Sequence, residues 1–175
     1  MQTLAVRKID YVGRVATEGV LLPRERRWYS KAMFWQADKV GRNRLIEPFS
    51  IFITTKDGGN YYFHVEAGTI TDFASVPWYI RGIIPQHHPG RNAAFVVHDG
   101  LYSDNCVIDI AANSDVGSRV KIDRKTADVL MRDILRDKET AEWMVQSIYR
   151  GIIVGGWLTW KRYRKLQQAR ENNAP

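Results

Sequence analysis

The chain of 175 residues contains one cysteine, Cys106, and therefore cannot form an internal disulfide bond. A fold without disulfides suits a reducing compartment, or one in which redox state has no effect on it. We interpret Cys106 as a small buried hydrophobic residue rather than as a nucleophile. Stability must then come from a hydrophobic core, and a chain of this length is long enough to bury one.

The sequence also lacks an apolar run that is long enough to cross a bilayer. Its most apolar late segment, residues 152–158, is bounded by Arg150 and Lys161, whereas a spanning helix needs about 20 apolar residues. The first seven residues lack the basic start and apolar core of a signal peptide. We therefore expect neither a transmembrane span nor export by the general route.

Acidic residues are too few to balance the basic ones, and the formal net charge is +7. Much of the excess lies in residues 161–175, and a second basic cluster occupies residues 24–27. Such clusters can contact nucleic acid, an anionic membrane surface or an acidic protein. A solvated helix face is the simpler interpretation, and nucleic-acid binding is the weakest of the alternatives.

Residues 1–66 have the composition of β-strands. Residues 49–55 are rich in β-branched and aromatic types, and residues 56–60 form a turn that accepts positive φ angles. We predict a β-hairpin over residues 49–66. On its returning strand, alternation places Tyr61, Phe63 and Val65 on one face and leaves His64 on the wetter face.

The second half of the chain has helical periodicity. We predict a helix over residues 91–102, a second over 124–137 that Asp123 caps, and a third that begins near Glu139. Residues 78–84 form a short helix or turn, and the polar residues 103–118 resemble a surface loop. Gly151 and Gly155, four residues apart, permit close packing of another element.

These elements predict an α+β fold in which N-terminal antiparallel strands pack against three to four C-terminal helices. We expect a single domain over residues 1–170. Residues 1–66 are mainly strands, and residues 67–160 are the core part of the domain, which carries the motifs described below. Residues 161–175 form a basic tail whose end is frayed.

Two ionisable residues interrupt the apolar helix at residues 91–102. His98 and Tyr102 are four positions apart and share a helix face, while Asp99 points about 100° away. On the following helix, Asp128 lies at the edge of the apolar stripe, where we expect it to be partly buried. If His98 faces Asp128, the carboxylate orients the imidazole and leaves its second nitrogen as a base, and Tyr102 adds a hydroxyl.

Two further acids complete this candidate site. Asp99 is placed to hold a hard cation such as calcium with loop carbonyls, or to orient a substrate together with Asp72. Asp72 is equally suited to cap a helix. The adjacent His87 and His88 diverge in any regular structure, so we do not expect them to ligate a metal.

Three motifs follow one another along the chain: TDFASVP at residues 71–77, GRNAAFVVHDGLY at 90–102 and RKTAD at 124–128. In these motifs, over about residues 65–160, the chain resembles the phage and prophage family catalogued as domain of unknown function 1353. The piece from Tyr149 to Trp157 is similar to the C-terminal pattern of that family. The resemblance implies a phage or prophage gene, often of the virion or lysis group.

A more distant resemblance concerns the HD-x-x-Y helix and the aspartate on a second helix, which are similar to the arrangement in secreted phospholipase A2. There the histidine is the base, its neighbouring aspartate binds calcium and a distant aspartate orients the histidine. These roles would fall on His98, Asp99 and Asp128. The chain departs from that pattern because Cys106 is alone and no glycine-rich calcium loop precedes His98.

Two functions therefore compete. The first is a hydrolase of the bacterial cell envelope, acting on phospholipid or peptidoglycan, with His98 as general base held by Asp128. The second is a tail, baseplate or capsid-associated protein in which the same residues form a buried polar scaffold. In that case, the aromatic and basic helix over residues 157–164 docks on other virion proteins. The expected location is the phage virion or the host cytoplasm.

Overall fold

The computed structural model describes residues 4–23, 39–71, 89–110 and 117–172. Strands dominate the first part and helices the second, so the α+β prediction is confirmed. The elements, in chain order, are β1 Val6–Val12, β2 Thr17–Pro23, β3 Lys39–Leu45, β4 Phe49–Thr55, β5 Asn60–Val65, β6 Ile70–Thr71, α1 Pro89–Ser103, β7 Cys106–Asp109, β8 Ser118–Lys121, α2 Arg124–Asp137 and α3 Glu142–Asn172.

The strands form two antiparallel sheets. One has five strands in the order β1-β4-β5-β7-β8, and the other has three in the order β2-β3-β6. The predicted hairpin is confirmed, with Phe49 opposite Val65 and Thr54 opposite Asn60. Its turn uses Gly58 at a φ of 89°, which a residue with a side chain rarely adopts.

Alternation along the hairpin defines the core face of the larger sheet. The return strand buries Tyr61, Phe63 and Val65 as predicted, and His64 is only half-buried on the other face, where Ser50 Oγ lies 2.7 Å from its Nδ1. Helix α1 contacts β5 on one side and α2 and α3 on others. It is therefore a central helix, and every residue from Ala93 to His98 is buried.

The predicted surface loop over residues 103–118 is wrong in part, because β7 begins at Cys106 and β8 begins at Ser118. Tyr62 of β5 pairs with Ile108, which adds β7 to the large sheet. Cys106 is buried there, as predicted. Polar flanking residues concealed these short strands, which depend on pairing with a distant segment rather than on local propensity.

Helix α2 matches its prediction. Asp123 is its N-cap, and its side chain accepts a hydrogen bond of 2.7 Å from the Thr126 backbone nitrogen. Its buried stripe includes Leu130, Met131 and Ile134.

Helix α3 is one continuous helix of 31 residues to Asn172, so residues 161–172 of the predicted basic tail are helical. The Lys, Arg, Leu and Gln residues of this stretch favour helix. A Cβ added at Gly155 would meet nothing within 4 Å, so Gly155 does not mediate close packing.

Three helices lie in the described part of the chain. The predicted short helix or turn over residues 78–84, the basic cluster at 24–27 and the histidine pair at 87–88 lie outside the described residues, as do the last three residues. Among the helices described, none is both long and apolar enough to cross a membrane.

Candidate functional site

Helices α1 and α2 bring a histidine, a tyrosine and an aspartate into direct contact. His98 Nε2 lies 3.1 Å from Asp128 Oδ1, and the Tyr102 hydroxyl donates a hydrogen bond of 2.6 Å to the same oxygen. The two rings, one helical turn apart, have centroids separated by 4.2 Å. We call these three residues the His–Tyr–Asp cluster.

Burial of the cluster is nearly complete. His98 and Tyr102 are each 3% exposed, and Asp128 is 1% exposed. The prediction that Asp128 is only partly buried is therefore wrong, because α1 packs over the edge of the α2 stripe on which it lies. An aspartate almost never lies this deep unless it is paired.

The contact with Asp128 determines which imidazole nitrogen carries hydrogen. An ionised carboxylate can only accept hydrogen bonds, so Nε2 of His98 must donate. In the neutral ring the lone pair then lies on Nδ1, which is 3.9 Å from Asp99 Oδ1. The basic nitrogen thus points toward Asp99.

A cation completes the environment of Asp128. Arg124 Nη1 lies 3.2 Å from Asp128 Oδ2, one turn earlier on the same helix. That oxygen accepts no aligned hydrogen bond within the described part of the chain, so the contact is a charge pairing rather than a directed bond. Sequence reasoning missed this role of Arg124, although it is the first residue of the RKTAD motif.

These contacts shift two pKa values. Burial, the largest single influence on His98, lowers its pKa, but the hydrogen bonds and negative charges of Asp128 and Asp99 together outweigh it, so the pKa is raised. Burial and the neighbouring Asp128 raise the pKa of Tyr102. Tyr102 therefore stays a neutral hydrogen-bond donor over the physiological range.

Asp99 is the most exposed acid near the cluster, with 21% of its side chain exposed. The Thr71 hydroxyl donates a hydrogen bond of 2.5 Å to its Oδ2. The first motif thereby contacts the second, and Thr71 is a site residue that sequence reasoning missed although it opens the TDFASVP run. Asp72, the next residue and a predicted site residue, lies outside the described residues.

Asp99 is also the predicted ligand of a cation. Among the residues that the structure describes, no group of three or more His, Cys, Asp or Glu side chains could hold a metal ion. The neighbour of Asp99 Oδ2 is the donor Thr71 instead. Cation binding by Asp99 stays a prediction that requires ligands from elsewhere.

Helix α3 covers the tyrosine end of the cluster. Trp160 meets the Tyr102 ring edge-on at a centroid distance of 5.0 Å, and a Cβ added at Gly156 would overlap the Tyr102 hydroxyl. Arg164 Nη2 donates to the carbonyls of Tyr102 and Ser103 at 2.7 and 3.2 Å, at the C-terminal end of α1. Gly156, Trp160 and Arg164 are spaced four residues apart. This spacing is the sequence signal that they share one face of α3.

Fold and site together define an α+β protein in which an antiparallel sheet packs on helices joined by a buried His–Tyr–Asp cluster. The chain belongs to the family described as Protein of unknown function (DUF1353), whose model matches residues 44–152. The match begins earlier than the predicted residue 65 and includes the hairpin. It ends at Ile152, so the Gly156–Trp157 part of the predicted pattern lies beyond it.

No curated protein and no solved structure matches the chain.

Proposed function

We propose that this chain is a phage or prophage hydrolase of the bacterial cell envelope, with His98 as general base and Asp128 as the residue that orients it. The supporting observation is that Asp128 Oδ1 accepts hydrogen bonds from both His98 Nε2 and Tyr102. Two donors on one oxygen restrain the imidazole ring. Its basic Nδ1 then lies 3.9 Å from Oδ1 of Asp99, a side chain that is 21% exposed.

The proposed reaction is hydrolysis of an ester or amide. Nδ1 of His98 takes a proton from water as the water oxygen bonds to the carbonyl carbon. The same proton then passes to the leaving oxygen or nitrogen as its bond to that carbon breaks. Asp128 stabilises the imidazolium that forms between these steps.

The remaining roles belong to two acids. Asp99 is proposed to hold a cation such as calcium, as the phospholipase resemblance implies, or to orient the substrate together with Asp72. Phospholipid and peptidoglycan are the two substrate classes under this proposal, because both carry ester or amide bonds and both lie in the envelope. Location in the virion or the host cytoplasm belongs to the same proposal.

A second candidate is a non-enzymatic virion protein, and one observation favours it. The His–Tyr–Asp cluster is almost fully buried, and the pKa of His98 is raised. A raised pKa favours the imidazolium, which two carboxylates stabilise and which cannot act as a base. Under this candidate the cluster joins α1 to α2 and performs no chemistry.

The deciding experiment measures hydrolysis of vesicle phospholipid and of purified peptidoglycan by the full chain, with and without calcium. His98→Gln should lower the rate by about 100-fold or more, since general bases contribute on that order. His64→Gln, on the outer sheet face, is the matched control and should keep full activity. Unchanged hydrolysis in His98→Gln would exclude His98 as the base.

The scaffold candidate makes the opposite prediction. If neither substrate is cleaved and purified virions contain the chain at fixed stoichiometry, the protein is a structural component. In that case His98→Gln should lower the free energy of unfolding, and neither the wild type nor the variant should cleave either substrate.

A further inference from the structure

Helix α3 has an outer face that the described part of the chain leaves uncovered. Ile152, Gly156, Trp160 and Arg164 point inward, toward α1 and α2. On the opposite side, within about 60° of Val154 at 3.6 residues per turn, the large apolar and the basic side chains are exposed. We call them the outer stripe: Trp143, Arg150, Val154, Trp157, Leu158, Lys161 and Lys165.

The outer stripe exposes large apolar side chains in one place. Val154 is 84% exposed, Leu158 67% and Trp157 50%, and they lie on consecutive turns. Clustered exposure of this kind marks an interaction surface, whereas single exposed apolar residues do not. Lys161 Nζ lies 4.2 Å from the centre of the Trp157 ring, so the apolar and cationic parts of the stripe are in contact.

Charge narrows the choice of partner. Residues 150–172 contain six Lys and Arg residues and a single acidic residue, Glu171. A partner that binds the outer stripe must therefore offer both negative charge and an apolar environment. Nucleic acid offers the charge but would leave Val154 and Leu158 in water.

A protein partner fits less well than a lipid surface. Protein interface cores are enriched in Trp and Arg and depleted in Lys, yet Lys161 and Lys165 run along the middle of the stripe. At a bilayer surface, Trp and Leu side chains enter the boundary between headgroups and acyl chains. Lys side chains extend from the same helix to the anionic headgroups.

We propose that the outer stripe of α3 binds the surface of an anionic lipid bilayer, with the helix lying in the membrane plane. The inner face of α3 keeps its contacts with Tyr102, so binding requires no unfolding. This inference goes beyond the proposed function, since a structural protein would bind the same surface.

The test is co-sedimentation of the full chain with vesicles of phosphatidylcholine alone or with about one third phosphatidylglycerol. The chain should bind the anionic vesicles and release them as salt is added, because added ions screen the attraction. Leu158→Glu should weaken binding about tenfold or more. Ile46→Glu changes an apolar residue of similar exposure, 53%, far from the stripe and should bind as the wild type does.

A second pair of variants tests the charge. Lys161→Gln combined with Lys165→Gln should weaken binding by about fivefold per lysine, the effect expected of a cation near an anionic surface. Lys56→Gln with Lys125→Gln removes the same charge from exposed positions elsewhere and should have a much smaller effect. His98→Gln should bind vesicles normally, which separates this inference from the proposed hydrolysis.

Three outcomes would overturn the proposal. Equal affinity for neutral and anionic vesicles, or no binding to either, excludes the anionic surface. DNA binding that is lost in the double lysine variant but unchanged in Leu158→Glu assigns the stripe to nucleic acid. A dimer that Leu158→Glu converts to a monomer, without vesicle binding, assigns it to a second copy of the chain.

Discussion

At the scale of single residues, Asp128 connects more groups than any other member of the site. It receives His98 and Tyr102 on one carboxylate oxygen and faces Arg124 with the other, at 1% exposure. The fold tolerates this buried charge because hydrogen-bond donors and a cation are positioned around the carboxylate. Removing it leaves those partners unpaired in the core, whatever the function of the protein.

Asp128→Ala should therefore lower the free energy of unfolding by about 3–5 kcal/mol, as expected when one member of a buried pair is deleted. Asp128→Asn keeps an acceptor oxygen and should cost less. Urea denaturation monitored by tryptophan fluorescence measures both. Asp104→Ala, which breaks the exposed pair with Arg119, is the control and should change stability by about 1 kcal/mol or less. Equal losses in Asp128→Ala and Asp104→Ala would contradict the importance of the cluster.

His98 makes stability depend on pH. Its folded pKa is raised above the ordinary 6.5 by Asp128 and Asp99 despite burial, so folding favours the protonated form. The resulting stabilisation is fully present below the unfolded pKa and is lost as pH rises through the folded pKa. Deprotonation of His98 over the same pH range would create the base required for hydrolysis. Hydrolytic activity should therefore rise over the pH range in which this stabilisation falls.

The measurement is the free energy of unfolding against pH for the wild type and His98→Gln. We expect the wild type to exceed the variant most at acidic pH and the difference to shrink as pH rises. If the difference in unfolding free energy between the wild type and His98→Gln instead grew as pH rises, the pKa of His98 would be lowered on folding rather than raised.

At the scale of elements, the approach of α3 to α1 depends on one glycine. Gly156 faces the Tyr102 hydroxyl, while its neighbour Gly155 faces open space. The hydroxyl cannot move away without loosening its hydrogen bond to Asp128. Two adjacent glycines in one helix therefore have opposite tolerance for a side chain.

Gly155→Ala should stabilise the protein by about 0.5–1 kcal/mol, the usual gain from replacing glycine inside a helix. Gly156→Ala should instead destabilise it, because its Cβ displaces Tyr102. Thermal unfolding of the two variants measures the contrast. Adding Tyr102→Phe to Gly156→Ala removes the displaced atom and should recover part of the loss. Equal stabilisation by both alanines would show that α3 does not pack closely on Tyr102.

At the scale of the whole molecule, a strand outside the family match adds contacts between the large sheet and helix α2. Strand β1 pairs with β4, and the Tyr11 hydroxyl donates 2.7 Å to Asp137 Oδ2 at the end of α2. Lys138 Nζ lies 3.4 Å from the centre of the Tyr11 ring. The match to residues 44–152 thus covers the site but not this edge of the fold.

Deletion of residues 1–16 should expose the edge of β4 and cause association through unpaired backbone groups. Size-exclusion chromatography should show aggregates and denaturation should lose its single sharp transition. Tyr11→Phe, a milder change, should cost about 1 kcal/mol for its lost hydrogen bond. Lys8→Ala, which breaks an exposed pair with Asp10, should leave the protein monodisperse. A deleted chain that stays folded would show that β1 is dispensable.

Local patterns were sufficient for much of this architecture. Alternation of apolar residues with a period of two predicted the hairpin over residues 49–66. An apolar period of 3.6 predicted α2 together with its Asp123 cap. Spacing placed His98 and Tyr102 on one helix face and suggested Asp128 as their partner. Thr71 and Arg124 lay inside quoted motifs, yet their contacts with Asp99 and Asp128 had not been predicted.

The sequence by itself determined which faces of the hairpin and of helix α2 are apolar, because that property depends on residues close together in the chain. Only the tertiary structure decided what meets those faces. It paired β7 with β5, buried Asp128 beneath α1 and placed Arg164 against the carbonyl of Tyr102, 62 residues away. Such contacts depend on how distant segments pack, and periodicity within one segment carries no information about its partner.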